Sequence, residues 1–581
     1  MKQPLIAGMF LIWVSMPGNA GSKLAPDLVV PHGDLALDVI VQFTSTPTER
    51  HHDKIRSKGG ELKHDLGAAI NGALYAIPAR SVAELSQDPE VKYISPDRSV
   101  HAMLDYANPT VNASIARRYG WDGKGVGIAL IDSGLEDRPD LGSPHSDDSL
   151  PSRIVYSASL LPKTLTYYKQ TKDDYGHGTH VAGILAGNGR KSTCPRCTRS
   201  FIGIAPNANI ISLRVLDAEG NGTDSSVINA IDAAIALAPI YKIKVINLSL
   251  GRPIFESYSK DPLCLAVEKA WRSGIVVVVA AGNNGRDNSQ GTNGYATIMA
   301  PANDPYVITV GAMKDMSTVS RGDDLIASYS SKGPTLIDHI VKPDIVAPGN
   351  RVISLIRAGS YIYKDSSATV NEIANSYYMP GATGISTIYY QLSGTSMAAP
   401  FVSGAAALLL QQNPSLTPDQ VKARLMKTAT KTFPASSFVT DPITGITYVS
   451  QYDTFTIGAG YLDVWAALNN ADLTSARTGA ALSPTAVYDP TTGDVSVNNT
   501  ATAVWNSSPV WGIDVVWGPS ISVDALKKNV VWGSKTNVVW GSGGTNGFNA
   551  LWGSAIDTSV VWGDRTNNSA ESENQLIHGE N

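Results

Sequence analysis

The chain has 581 residues, 43% of them hydrophobic and 17% charged, with a net charge of −5. At ~150 residues per unit this length makes three or four units, and the apolar fraction excludes wholesale disorder. No basic run or basic face stands out, so the sequence offers no surface for nucleic acid.

Residues 1–20 read as a signal peptide. Lys2 supplies the positive start, Leu5 to Met16 is largely apolar, and Gly18-Asn19-Ala20 supplies small residues for cleavage after Ala20. The apolar run is about a dozen residues, short of the ~20 that span a bilayer as a helix. No later segment is long and apolar enough to be a membrane anchor. The expectation is a secreted protein with no membrane span; a buried N-terminal helix is the bland alternative.

Residues 21–105 form a small unit. Leu37 to Phe43 reads as a strand, Thr48 to Lys58 as a polar helix and Ala73 to Ile77 as a second strand. Ser81-Val82-Ala83-Glu84 has the form of a capping box, which predicts a short helix starting there. Val91 to Ile94 makes a final strand. The order β-α-β-α-β predicts a small ferredoxin-like α+β fold. Its border with the next unit falls between Ser99 and Ser114.

In residues 106–472, Val126 to Ile131, Ile243 to Leu248, Ile275 to Ala281 and Tyr306 to Val310 are continuous apolar runs. Helix candidates lie at Val181 to Ala186, Ser225 to Leu237 and Leu263 to Trp271. Short, wholly apolar strands separated by helices predict an α/β class fold, a doubly wound parallel sheet with helices on both faces. Thr417-Pro418-Asp419-Gln420 is a second capping box with Pro at the first helical position, opening a helix to about Lys427. Cys194 and Cys197 sit in Cys-Pro-Arg-Cys. In an oxidising compartment a local disulfide is the first choice. Zinc would need further ligands that no nearby Cys or His pair supplies, and a thioredoxin-like role lacks its surrounding motif. Cys264, in an apolar stretch, reads as a buried thiol.

Residues 473–581 change character. Trp511, Trp517, Trp532, Trp540, Trp552 and Trp562 are each followed by Gly, and most are preceded by Val-Val. Val and Trp are strand formers, so this degenerate repeat predicts a β-rich or partly disordered tail. Its last stretch, Asn567 to Asn581, is polar and expected to be disordered. Either the tryptophans pack inward in a small β unit, or they present aromatic surface to a glycan, a cell envelope or a partner.

Four short motifs in the central region carry chemistry: Ile131-Asp132-Ser133-Gly134, His177-Gly178-Thr179-His180-Val181-Ala182-Gly183, Ala280-Ala281-Gly282-Asn283 and Gly394-Thr395-Ser396-Met397-Ala398-Ala399-Pro400. Hydrolysing an amide needs a nucleophile, a base to take its proton, a group to orient that base, and donors for the oxyanion. Serine alone is a poor nucleophile at neutral pH and needs a base within hydrogen-bond reach. The four motifs offer one residue for each task.

In this order the motifs resemble the signature segments of subtilases. The resemblance covers nearly all of Pro109 to Asp472, and Leu35 to Met103 is similar to the family's inhibitory propeptide. It implies a serine endopeptidase that hydrolyses polypeptide substrates through an acyl-enzyme and is made as a self-processing zymogen. The propeptide would act as an intramolecular inhibitor, its last strand in the substrate track. Carried over residue by residue, Ser396 is the nucleophile, followed by a helix from Met397 to Gln411. His177 is the base, with His180 a packed structural residue. Asp132 orients His177 from the carboxyl end of a strand, where open parallel sheets place their sites. Asn283 matches the oxyanion-hole donor, acting with the Ser396 N–H. Ser249, Leu250 and Gly251 match the segment that pairs with the substrate backbone, and with Ala281 and Gly282 they wall the pocket for the residue before the cut.

The chain also departs from the family's pattern. Met299-Ala300-Pro301 stands where many relatives have a Gly-containing segment at the pocket floor, and a Met there would shorten the pocket. The loop Asn188 to Ser200 carries the Cys pair in place of a familiar calcium loop. Asp140 still resembles a calcium ligand, but calcium takes about six to eight oxygens and the sequence names only this one. No cofactor is therefore required, no metal-binding residues are assigned, and a structural calcium stays open. The insertion from Arg357 to Gln391 holds Tyr361, Tyr363, Tyr377, Tyr378, Tyr389 and Tyr390. It is either a surface elaboration or a rim that narrows the cleft. The rival reading of the whole chain is a non-catalytic binding protein led by its tail.

Overall fold

The structure is a computed structural model that describes residues 23–25, 28, 30, 35–66, 71–96, 106–142, 152–165, 167–289, 291–364, 366–441, 444–489, 494–498, 559–561 and 580. The chain divides into two compact units, Met1–His101 and Ala102–Asn581.

In the first unit, β1 (Ala36–Phe43), β2 (Glu61–Asp65), β3 (Gly72–Pro78) and β4 (Val91–Pro96) form an antiparallel sheet in the order β2-β3-β1-β4. Helices α1 (Glu49–Ser57) and α2 (Ala79–Ser86) complete a β-α-β-β-α-β chain order. Val39, Val41 and Phe43 of β1 share a core with Tyr75, Ile77, Val82 and Leu85. The sequence-based order lacked β2. Its residues Glu61-Leu62-Lys63-His64-Asp65 are polar and mostly exposed, the composition that blunts an edge strand. The expected capping box at Ser81 is also corrected. The helix α2 begins earlier, at Ala79, and the Ser81 hydroxyl donates to Lys58 O at 2.8 Å.

The second unit is built on a larger sheet. Its strands are β5 (Gly127–Asp132), β6 (Ile154–Ser159), β7 (Asn209–Arg214), β9 (Ile243–Leu248), β10 (Val276–Ala280), β11 (Ile308–Lys314) and β12 (Leu325–Ile326). They run in the order β12-β11-β10-β9-β5-β7-β6, with β13 (Ile345–Pro348) also on β11. The pairings are parallel except that of β12, which turns back on β11. The sheet is thus mixed, not purely parallel. Every residue of β5, β10 and β11 is buried. Successive strand side chains point to opposite faces, so both faces of the sheet are covered. The covering helices are α3 (His177–Ala186), α4 (Asp224–Tyr241), α5 (Pro262–Arg272) and α6 (Thr395–Gln412). Helix α3 packs on α6, and α4 on α5. Helix α7 (Pro418–Thr428) opens with the expected capping box: Thr417 Oγ1 accepts from Gln420 N, and Gln420 Oε1 accepts from Thr417 N at 3.1 Å.

Smaller elements surround this body. β14 (Val352–Leu355), β15 (Glu372–Ala374) and β16 (Ile385–Leu392) form a sheet ordered β14-β16-β15. β17 (Ser436–Thr440) pairs with β18 (Thr447–Gln451), β19 (Thr485–Asp489) with β20 (Asp494–Asn498), and β21 (Ser559–Val561) with β8 (Asn221–Thr223). Ala486 and Val495 of the β19–β20 hairpin share a buried cluster with Val341, Ala423 and Met426. The packed body therefore runs past Asp472, the border read from sequence. Cys194 and Cys197 form a disulfide with Cα atoms 4.9 Å apart. Cys264 is a buried thiol on α5. Residues 1–20 and the six Trp-Gly tryptophans lie outside the described residues. Among the described residues no helix is long and apolar enough to cross a membrane.

Replacing Thr417 by Ala removes one half of a reciprocal cap on α7. The expected cost is about 1 kcal/mol, read as a lower denaturant midpoint with an unchanged slope.

Candidate active site

Asp132 is the last residue of β5, and His177 is the first residue of α3. Both are buried, and the His177 Nδ1–Asp132 Oδ1 separation is 2.8 Å. The same Oδ1 accepts from Ser133 N at 2.7 Å. The start of α3 is held by a residue the sequence reading passed over. Asp173 is fully buried; its Oδ1 accepts from Gly176 N and its Oδ2 from Thr179 N, each at 2.7 Å. The Ser133 hydroxyl joins the two carboxylates, donating to Asp173 Oδ1 at 2.8 Å while accepting from Gly178 N at 2.9 Å. The helix was expected only from Val181, so no capping signal in the sequence pointed to Asp173. Gly178 must be glycine for space, because a Cβ there would lie 2.3 Å from Gly134 O and 3.2 Å from Asp132 Oδ1.

Ser396 is the second residue of α6, one position inside the helix rather than ahead of it as expected. A helix N-terminus favours negative charge nearby. Its backbone is locked by a chain of side chains that runs from within α6 through β9 and back: Ser403 Oγ donates to Asn247 Oδ1, Asn247 Nδ2 to Ser249 Oγ, and Ser249 Oγ to Ser396 O, at 2.8, 3.0 and 2.9 Å. Asn283 is placed from the other side. Its Oδ1 accepts from Thr395 N at 2.9 Å and from Thr395 Oγ1 at 3.1 Å, and Thr395 Oγ1 accepts in turn from Gly282 N at 3.1 Å. With the carbonyl oxygen committed, the amide NH₂ is the group left to donate. Ser396 Oγ is buried and has no hydrogen-bond partner among the described residues. Catalytic hydrogen bonds are often long without substrate and tighten in the complex.

The expected pocket walls converge on Met299. Cβ atoms added to Gly251 and Gly282 would come within 3.2 Å of Met299 Cβ and 2.7 Å of Met299 Cγ. The half-buried Met299 therefore fills the space between those two glycines. Backbone bonds fix the arrangement: Met299 N donates to Ala281 O at 3.1 Å, and Arg252 and Ala300 exchange two bonds at 3.0 and 2.8 Å. Leu250 is buried beneath this wall. The tyrosine insertion has two parts. Tyr378, Tyr389 and Tyr390 are buried, whereas the exposed Tyr361 stacks on Tyr175 at 6.0 Å between ring centroids. The Tyr175 ring lies 6.3 Å from that of His177, so Tyr361 extends an aromatic edge outward from the site.

His180 is fully buried, its Nε2 3.1 Å from Val352 O and 3.2 Å from Tyr390 O. Burial pushes its pKa down to about 3, with a lesser contribution from His177. Asp140, the residue similar to a calcium ligand, is engaged by protein donors. Its Oδ1 accepts from Lys191 N at 2.8 Å, and its Oδ2 accepts from Tyr389 Oη. Burial raises its pKa. No cluster of three or more His, Cys, Asp or Glu side chains suited to a metal occurs among the described residues.

Comparison with known proteins gives consistent matches. The profile of the Subtilase family matches residues 123–440. Serine protease AprX of Bacillus subtilis is 38% identical over 384 residues, spanning 65% of this chain and 76% of that protein. Subtilisin E of the same organism is 34% identical over 398 residues, 67% of this chain and 84% of that one. An alkaline protease of Alkalihalobacillus alcalophilus is 32% identical over 373 residues, 64% and 77% of the two chains.

The unfolded chain protonates His180 below its ordinary 6.5, the folded chain only near 3. Between those values the unfolded state binds more protons, so stability falls as pH falls. The His180 contribution reaches about 1.4 kcal/mol per pH unit. The variant His180→Gln should show a shallower loss of unfolding free energy between pH 6 and pH 4, roughly the window named; an unchanged slope would exclude this group as the cause.

Proposed function

Since the chain belongs to the subtilase family and is a subtilisin-like serine endopeptidase, we propose that Ser396, His177, Asp132 and Asn283 perform its peptide-bond hydrolysis. Ser396 Oγ attacks the scissile carbonyl carbon while His177 takes its proton, then returns it to the leaving amine. Water hydrolyses the acyl-enzyme by the same route. Asp132 stays ionised, fixes the imidazole through Nδ1 and stabilises the imidazolium. The Asn283 amide and the Ser396 N–H donate to the oxyanion. The observation that carries this reading is the buried 2.8 Å contact between Asp132 and His177, which fixes Nδ1 as the carboxylate-facing nitrogen and leaves Nε2 for the hydroxyl.

The main-chain segment Ser249 to Gly251 pairs with extended polypeptide, and Met299 limits the side chain before the cut to small residues. The protein is exported by its signal segment. The first unit serves as its propeptide and inhibitor, removed by self-cleavage between Ser99 and Ser114, a stretch partly outside the described residues. No cofactor enters the chemistry.

The purified chain should hydrolyse an unfolded protein, and Ser396→Ala should both lose that activity and keep its first unit attached. Efficient self-processing by Ser396→Ala would overturn the proposal. Asn283→Ala should lower kcat about 10²–10³-fold with little change in KM, a magnitude taken from subtilisin itself. In Met299→Gly, kcat/KM for peptides with Phe before the cut should rise about tenfold relative to Ala; an unchanged ratio would remove Met299 from the pocket.

A further inference from the structure

The strand β8 stands apart from the main sheet. Among the described residues its one strand partner is β21, the segment Ser559–Val561 from the C-terminal tail. The pairing is antiparallel, with Ser559 opposite Thr223, Val560 opposite Gly222 and Val561 opposite Asn221. β21 belongs to one of four Val-Val-Trp-Gly repeats in the tail, beginning at Val515, Val530, Val538 and Val560.

β8 borders the site at both ends. A Cβ on Gly220, just before β8, would lie 2.7 Å from the Tyr175 ring, and that ring lies 6.3 Å from His177. Just after β8, Asp224 Oδ1 accepts from Arg252 Nε at 3.0 Å. Arg252 directly follows the Ser249-Leu250-Gly251 wall. An extended chain lying on β8 therefore runs along the cleft. The register also fixes polarity: from Ser559 to Val561 the tail advances toward the Tyr175 and His177 end. A peptide about to acylate Ser396 must run the same way, its acyl portion on the strand and its chain heading to the nucleophile.

A second contact ties the tail to the same unit. The Glu580 carboxylate is buried; its Oε1 accepts from Arg286 at 2.9 Å and from Ser328 N at 2.8 Å. Its main chain exchanges two bonds with the Asn350 side chain, at 2.8 and 2.9 Å. Arg286 lies three residues beyond Asn283. Of the end expected to be disordered, Asn567 to Asn581, Glu580 is the residue that lies among the described ones. Anchoring on this unit raises the local concentration of the repeats at β8.

We propose that the tail is a cis-acting pseudosubstrate: Ser559–Val561 adds a strand to β8 in substrate polarity and competes with polypeptide for the cleft. Strand addition to an open edge takes its affinity from main-chain hydrogen bonds, and a repeated Val-Val pair is a strong strand former. The proposal rests on the peptidase reading for what the tail competes with, and on the pairing alone for where the tail binds.

Successive strand N–H groups point to opposite edges, so one of Val560 and Val561 donates to β8; proline at both removes that donor while leaving Glu580 in place. In the full chain carrying Ser396→Ala, adding Val560→Pro and Val561→Pro should speed amide hydrogen exchange at Asn221–Thr223 at least tenfold. Unchanged exchange would overturn the proposal, and this readout needs no turnover. In the active chain the two prolines should lower KM for an extended peptide several-fold with kcat unchanged. The added peptide Thr-Ser-Val-Val-Trp-Gly should act as a competitive ligand and raise KM again. An unchanged KM in an enzyme that turns over would contradict the pseudosubstrate and leave the peptidase reading standing. Absence of turnover in both chains would count against the peptidase reading, with the exchange result still deciding where the tail binds.

Discussion

The rest of the structure depends on keeping an ionisable pair, Asp132 and His177, buried at 2.8 Å. A carboxylate out of water is costly unless its lone pairs are used. Asp132 meets part of that demand through Oδ1, with the imidazole and with Ser133 N; its buried Oδ2 has no partner among the described residues. Asp173, one hydroxyl away through Ser133, meets it with the N–H groups at the start of α3. The two carboxylates thus share one network that also sets where the helix begins. Moving that start would rotate the imidazole away from the oxygen it faces.

The large sheet supplies the other coordinates. Its β5 and β9 lead at their carboxyl ends into Asp132 and Ser249, while β10 leads into Ala281, Gly282 and Asn283. Helix α6 packs on β9, β10 and β11 and carries Ser396 at its first turn. Side chains that would elsewhere be spare polar groups, Asn247, Ser249, Thr395 and Ser403, link strand ends to that turn. The account of the tail follows from the same geometry. β8 precedes α4 without joining the main sheet, which leaves it an edge on which Ser559–Val561 pairs.

Much of this was legible in the residues. Continuous apolar runs located β5, β9, β10 and β11 to within a few positions, because a strand buried on both faces tolerates nothing else. Thr417 and Gln420 announced α7 through a mechanism, the reciprocal cap. The similar pattern at Ser81 failed because Ser81 lies within the first turn of a helix already begun at Ala79. β2 escaped notice since a polar edge strand resembles a loop. At the site, the four motifs named Asp132, His177, Asn283 and Ser396, which lie at strand ends and helix starts of the second unit. Asp173 and Thr395 did not show, for their work is to hold backbone amides and another side chain, and such partners are set by tertiary folding. The donors on Asp140, the Tyr389 hydroxyl and the Lys191 N–H, were not legible because they come from distant segments.

The central claim is that one hydroxyl among the chain's many serines is activated by one imidazole. Labelling the processed protein with a small fluorophosphonate, and mapping the adduct by mass spectrometry, tests it most directly. The account predicts one label per chain, on Ser396, lost when His177 is replaced by Ala and largely kept when His180 is replaced. Labelling at another serine, or labelling of Ser396 at full rate without His177, would contradict it.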